Sequence, residues 1–93
     1  MSQGDLSGAR EQLAKAAALE PEDADTLAFY GECLVRSGMV AEANKTLSRA
    51  LSLKPMHAHA NLWMANWHAA QGQRDAAVRY AQIARDSAAR NYW

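Results

Sequence analysis

The chain has few of the residues that build covalent cross-links or sharp turns. Its 93 residues include one cysteine, two prolines and five glycines. A single cysteine excludes a disulfide within the chain. No stretch approaches the run of about 20 apolar residues that a membrane-spanning helix needs, and residues 1–6 do not resemble a signal peptide. The sequence does not distinguish a cytoplasmic from a periplasmic location.

An excess of either charge is also missing. Ten lysines and arginines balance ten aspartates and glutamates, so the formal net charge is zero. Proteins that bind nucleic acids or anionic membranes derive much of their affinity from a basic excess. We therefore expect neither nucleic acid nor a membrane among the partners of this chain.

Signatures of catalysis and of metal binding are missing too. The sequence has no glycine-rich phosphate loop, no H-E-x-x-H motif and no paired cysteines. His57 and His59 are two residues apart and would lie on different faces of a helix, with no cysteine or carboxylate at helical spacing to complete a ligand set. His68 lies on an apolar stripe, where a hydrogen-bonded structural role is the default. We expect no enzyme activity, no metal site and no cofactor.

What the sequence does contain is a period of 34 residues. Gly4, Gly38 and Gly72 follow one another at this spacing, and Pro21 and Pro55 share it. Leucines and alanines repeat in the same register, but glycine and proline are rare here, so their positions carry the argument. A period of about 34 residues is typical of tetratricopeptide repeats, and the chain resembles that family.

Apolar residues within each period recur at the spacing of one helix face. The stripes predict five helices, at about residues 6–19, 24–37, 41–54, 58–71 and 74–89. Gly38 and Gly72 would close two of them in the left-handed conformation, and Gly4 would form an equivalent turn at the start. Pro21 and Pro55 would end the helices before them.

The resemblance implies an all-α fold, a right-handed superhelical stack of antiparallel helix pairs in one domain over residues 1–93. Its units would be a half repeat at 4–21, a full repeat at 24–57 and a terminal repeat at 58–91. Arginines on the last helix suggest a polar cap there. Asn61 and His68 replace leucines of the preceding repeat, which predicts weaker packing in the last one. Tyr92 and Trp93 are expected to fold back over Trp67.

The resemblance also implies a function, because in this family the first helix of each repeat lines a concave groove that binds partner peptides. One helix face there presents Asp25, Phe29, Glu32 and Arg36, and the next repeat offers His59, Leu62, Trp63 and Asn66. Phe29 and Trp63 would stack as neighbours and anchor a partner, Asn66 would hydrogen-bond its backbone, and Glu32 and Arg36 would select its charge. Alternatively, the two aromatic side chains are packing residues of the core.

The expected function is therefore a protein-binding module or scaffold, within a larger bacterial assembly protein. A second hypothesis is self-association into a homodimer. The first helix lacks a partner within its own repeat, so Leu6 and Leu13 would face a vacancy, and Trp67 would point to where a following repeat docks. Either the chain is a segment of a longer array, or another copy fills these open ends.

Overall fold

The computed structural model describes the backbone of residues 3–91 and the side chains of residues 7–89. This part of the chain forms five helices and no strand. The helices are α1 (Gln3–Leu19), α2 (Ala24–Arg36), α3 (Val40–Leu53), α4 (Ala58–Ala70) and α5 (Arg74–Asn91). The all-α prediction is confirmed, and the four later helices begin and end within about two residues of their expected bounds.

The turn expected at Gly4 is wrong. Gly4 lies in the first turn of α1, which already begins at Gln3. Glycine permits the left-handed conformation without imposing it. The side chain of Leu6 and the expected position of Tyr92 and Trp93 lie outside the described residues.

The turns at Gly38 and Gly72 have the predicted geometry. Their φ angles are 76° and 77°. At the first turn, the Met39 amide donates to the Leu34 carbonyl at 2.9 Å and the Gly38 amide donates to the Val35 carbonyl at 3.1 Å. The second turn repeats both bonds 34 residues later. This pair of bonds satisfies carbonyls that the end of a helix leaves without partners, and it reverses the chain into an antiparallel hairpin.

The proline loops end in helix caps. Asp23 caps α2 by accepting from the Asp25 amide at 3.1 Å. At the equivalent position before α4, the Nδ1 of His57 accepts from the Ala60 amide at 3.1 Å. A hydrogen bond from the Thr26 hydroxyl lowers the pKa of Asp23 below its ordinary value.

The core lies where α2, α3 and α4 meet. Leu27 and Leu47 form one buried cluster there with Met64 and three alanines. Gly31 lies so close to Leu47 that a Cβ atom at Gly31 would stand 2.4 Å from the leucine Cδ2. Small residues on α2 therefore let α3 approach closely. Within the described residues, α1 packs on α2, and α5 packs on α4.

The expected weak packing around Asn61 is not what the structure shows. Asn61 is 1% exposed, and its Nδ2 donates to the carbonyls of Pro55 at 3.1 Å and His57 at 2.8 Å. These bonds tie the loop before α4 to the helix itself, so hydrogen bonds replace the apolar contacts of Leu27. His68 has the structural role expected of it, with its ring stacked on Tyr80 at 5.2 Å and its Nδ1 2.5 Å from the Gln73 Oε1.

No helix in the described part of the chain is long and apolar enough to cross a membrane.

Candidate partner-binding surface

The exposed face of α2 carries four of the predicted site residues. Asp25, Phe29, Glu32 and Arg36 recur at helical spacing, so they form one stripe along α2. The Phe29 side chain is 47% exposed, an unusual position for a large aromatic residue in a small domain. Arg36 donates to Glu32 at 3.3 Å across one helical turn. The stripe therefore combines one apolar ring with charges of both signs.

Histidines of the next repeat connect to this stripe. The Nε2 of His59 lies 2.8 Å from a Glu32 carboxylate oxygen, and the His59 ring lies 4.7 Å from the Phe29 ring, centroid to centroid. The Nε2 of His57 lies 2.5 Å from an Asp25 oxygen. Two histidine–carboxylate pairs thus link the beginning of α4 and the loop before it to α2. Sequence reasoning missed this role of His57, although its 34-residue offset from the cap residue Asp23 could have indicated it.

The expected stacking of Phe29 on Trp63 is wrong. The His59 ring lies between them, 4.7 Å from Phe29 and 6.4 Å from Trp63. Trp63 is half-buried and packs against the core cluster. For Trp63, the structure therefore supports the alternative that it is a packing residue, whereas Phe29 stays open to solvent.

The remaining two site residues of α4 lie on a different surface. Leu62 and Asn66 line a depression between α4 and α5, together with Val78 and Ala81 of α5. Leu62 is 44% exposed and Val78 is 48% exposed. The expected polar cap is therefore wrong for this face of the last hairpin, which presents apolar side chains to solvent. The eight predicted groove residues divide between two separate surfaces.

The residues predicted for self-association also differ from expectation. Trp67 does not point to an open end of the stack, because its Nε1 donates to the Val40 carbonyl of α3 at 2.8 Å and its ring packs against the core. Leu13 is half-buried on α1, whereas its counterpart Leu47 on α3 is fully buried. α1 is thus less covered than α3, as the missing partner helix predicts.

The other titratable groups serve structure rather than chemistry. Burial raises the pKa of the Cys33 thiol above its ordinary value, and the charge of Glu32 adds to the shift. A buried thiol with a raised pKa is a poor nucleophile. Burial also raises the pKa of Tyr30, whose hydroxyl donates to Glu42 at 3.2 Å and joins α2 to α3. Among the described residues, no three side chains of His, Cys, Asp or Glu are grouped to hold a metal ion.

A stack of helix hairpins with an exposed aromatic stripe defines a helical-repeat protein. The family model for the tetratricopeptide repeat matches residues 1–55, more than half of the chain, and the chain belongs to that family. The resemblance predicted from the 34-residue period is confirmed. Members of the family are generally interaction modules for other proteins and not enzymes, and nothing in the described residues shows enzymatic activity.

Solved structures of MamA, a protein that contains tetratricopeptide repeats, share this fold. The structure named MamA MSR-1 C2 matches with a TM-score of 0.77 at 22% identity, over 94% of this chain and 50% of the other. A second crystal structure of MamA matches with a TM-score of 0.76 at 24% identity, over 95% and 52%. This chain therefore spans about half the length of these neighbours. None of the curated proteins matches its sequence.

Proposed function

We propose that this chain is a non-enzymatic module that binds a peptide or helix of a partner protein across the exposed face of α2. The observation that supports this most is Phe29, a 47% exposed ring held in place by the His59 ring at 4.7 Å. A partly fixed aromatic side chain loses little conformational entropy when a partner covers it, and such residues are the usual anchors of interfaces.

The charges around Phe29 favour a partner that carries both an apolar and a basic group. The Asp25 side chain is 66% exposed and lies one helical turn from Phe29. Glu32 lies on the other side of the ring, where Arg36 and His59 both contact its carboxylate. Since its partners already occupy Glu32, Asp25 is the better candidate to receive a basic side chain of the partner.

A displayed peptide library, screened against the purified chain, tests this proposal. We expect Phe29→Ala to weaken the selected peptides by about tenfold or more, because anchors of this kind carry roughly 2 kcal/mol or more. Val78→Ala is the matched control, since Val78 is equally exposed but lies on α5. Peptides that bind Phe29→Ala as well as the unchanged chain would refute the proposed site.

A second candidate function is self-association. Ala9 and Leu13 on α1 are more exposed than Ala43 and Leu47, their fully buried counterparts on α3. The charges also differ along the chain, with eight acidic and four basic residues in 1–46 but two acidic and six basic residues in 47–93. Opposite charges at the two ends of a stack favour contact between copies.

Light scattering after size-exclusion chromatography, over a wide concentration range, tests self-association. A mass that rises from 10.2 kDa towards twice that value would support it. Leu13→Asp should then restore the monomer, because it places a charge on the less covered face of α1. A mass of 10.2 kDa at every concentration would exclude this second function.

A further inference from the structure

The groove between α2 and α3 shows how this chain accommodates a helix. α4 packs on both of these helices. The Trp67 Nε1 bonds to the Val40 carbonyl at the beginning of α3, and the Asn44 amide lies 3.9 Å from the Met64 sulfur. Ala28 and Leu47, which belong to these two walls, have no exposed surface.

The equivalent groove, 34 residues later in the sequence, is open. Leu62 corresponds to Ala28, Val78 to Asn44, and Ala81 to Leu47. Two adjoining depressions of about 430 and 440 Å³ run along it and share Leu62 and Ala81. Within residues 3–91, no helix covers this surface, so Leu62 and Val78 keep nearly half of their area exposed.

The open groove also differs from the filled one in charge. Arg74 lines one depression and Arg85 lines the other, where the filled groove has Val40 and Leu51. Among the described side chains, no aspartate or glutamate lines either depression. A helix in this groove would therefore find an apolar floor with a guanidinium group in each half.

The filled groove predicts the direction of such a helix. His57, at the beginning of α4, meets Asp25 at the beginning of α2, and Trp67, near the end of α4, meets Val40 at the beginning of α3. α4 thus runs parallel to α2 and antiparallel to α3. By the same register, a helix in the open groove would end near Arg74 and begin near Arg85.

We propose that the α4–α5 groove binds one amphipathic helix of a partner protein, parallel to α4, with a stripe of small and aliphatic residues and a carboxylate at each end. The carboxylates would pair with Arg85 and Arg74, and the stripe would cover Leu62, Val78 and Ala81. This surface lies apart from Phe29, so it is a second binding site whose success or failure does not depend on the function proposed for α2.

The probe that tests this is a synthetic, fluorescently labelled peptide. It copies residues 56–72, the segment that fills the equivalent groove, with His57→Asp and Gln71→Glu to supply the two carboxylates. A control peptide carries His57→Lys and Gln71→Lys instead. By fluorescence anisotropy at low salt, we expect the acidic peptide to bind about tenfold more tightly than the basic one, as two partly exposed charge pairs allow. Added salt should reduce this preference.

Variants of the chain locate the binding site. Arg74→Glu with Arg85→Glu should reverse the preference between the two peptides, whereas Arg79→Glu, the same change on α5 outside the groove, should leave it unchanged. Val78→Asp should abolish binding of the acidic peptide, and Phe29→Ala should not affect it. All these positions are exposed, and circular dichroism of each variant checks that the helices are retained.

Three outcomes would overturn the proposal. The first is that neither peptide binds in a saturable manner, and the second is that both bind equally well. The third is that the chain alone forms oligomers that Val78→Asp dissociates, because a second copy would then occupy the groove in place of a partner helix.

Discussion

The middle hairpin, α2–α3, and the last hairpin, α4–α5, have the same turn and very different surroundings. Gly38 and Gly72 have φ angles within one degree of each other and make the same hydrogen bonds. Yet Leu47 is completely buried in the middle hairpin, whereas Ala81 at the same place in the last one is exposed. The hairpin is thus specified within each repeat, but the burial of its outer face depends on whether another helix follows in the stack.

The two hairpins also pack their helices together with different residue pairs. In the middle one, Gly31 leaves space that the Leu47 side chain fills. In the last one, Ala65 and Ala81 occupy these positions. The total side-chain volume is distributed differently, and the larger residue appears only where α4 completes the pocket around it. We expect mutations to affect the two hairpins very unequally.

The largest effect is predicted for Leu47→Ala. Leu47 is fully buried between three helices, so its truncation should leave a cavity and cost about 3–4 kcal/mol in the free energy of unfolding. Urea denaturation followed by circular dichroism measures this. Ala81→Gly at the equivalent exposed position should cost only about 1 kcal/mol, through helix propensity. Equal losses at both positions would contradict the difference in burial.

A smaller loss is predicted for Gly31→Ala. The new Cβ would stand 2.4 Å from the Leu47 Cδ2, so the overpacked core should lose about 1–3 kcal/mol, despite the better helix propensity of alanine. With Leu47→Ala in the background, the same change should be neutral or stabilising, because the pair then resembles Ala65 and Ala81. The double-mutant cycle measures this coupling. Simple additivity would show that the two side chains do not compete for space.

The sequence predicts those features of the fold that depend on local chemistry. The left-handed turns at Gly38 and Gly72 need glycine, and Pro55 is incompatible with a continuing helix, so the helix bounds follow directly. The stripe that contains Leu27 and Leu34 identifies the buried face of α2. Gly4 failed as a turn because glycine alone does not require one.

The relations between repeats were less predictable. The spacing placed Phe29 and Trp63 in equivalent positions, but it could not show that the His59 ring lies between them. Similarly, Leu62 was assigned to the same surface as Trp63, although neighbouring residues on a helix point about 100° apart. Which of them faces a groove depends on the angle at which α4 crosses α2 and α5, and the sequence pattern does not give this angle.

The turns should respond equally in the two hairpins. Gly38→Val and Gly72→Val each place a β-branched residue at a positive φ angle, which costs about 1–2 kcal/mol. At both glycines, a Cβ atom would have no neighbouring atoms within 4 Å, so steric contacts should not add to this cost. Differential scanning calorimetry of both variants measures it. A much larger loss at one turn would show that the hairpins are less alike than their backbones.

The smallest effect is predicted for Val78→Ser, on the wall of the open groove. Because Val78 is 48% exposed, the change removes little buried apolar surface and should alter the free energy of unfolding by less than about 0.5 kcal/mol. Asn44, its counterpart in the filled groove, is half-buried beside Met64. Asn44→Ala should therefore cost more than Val78→Ser when both are measured by urea denaturation. If a helix occupies the α4–α5 groove, the cost of Val78→Ser should increase in its presence, because Val78 would then be buried as Asn44 is.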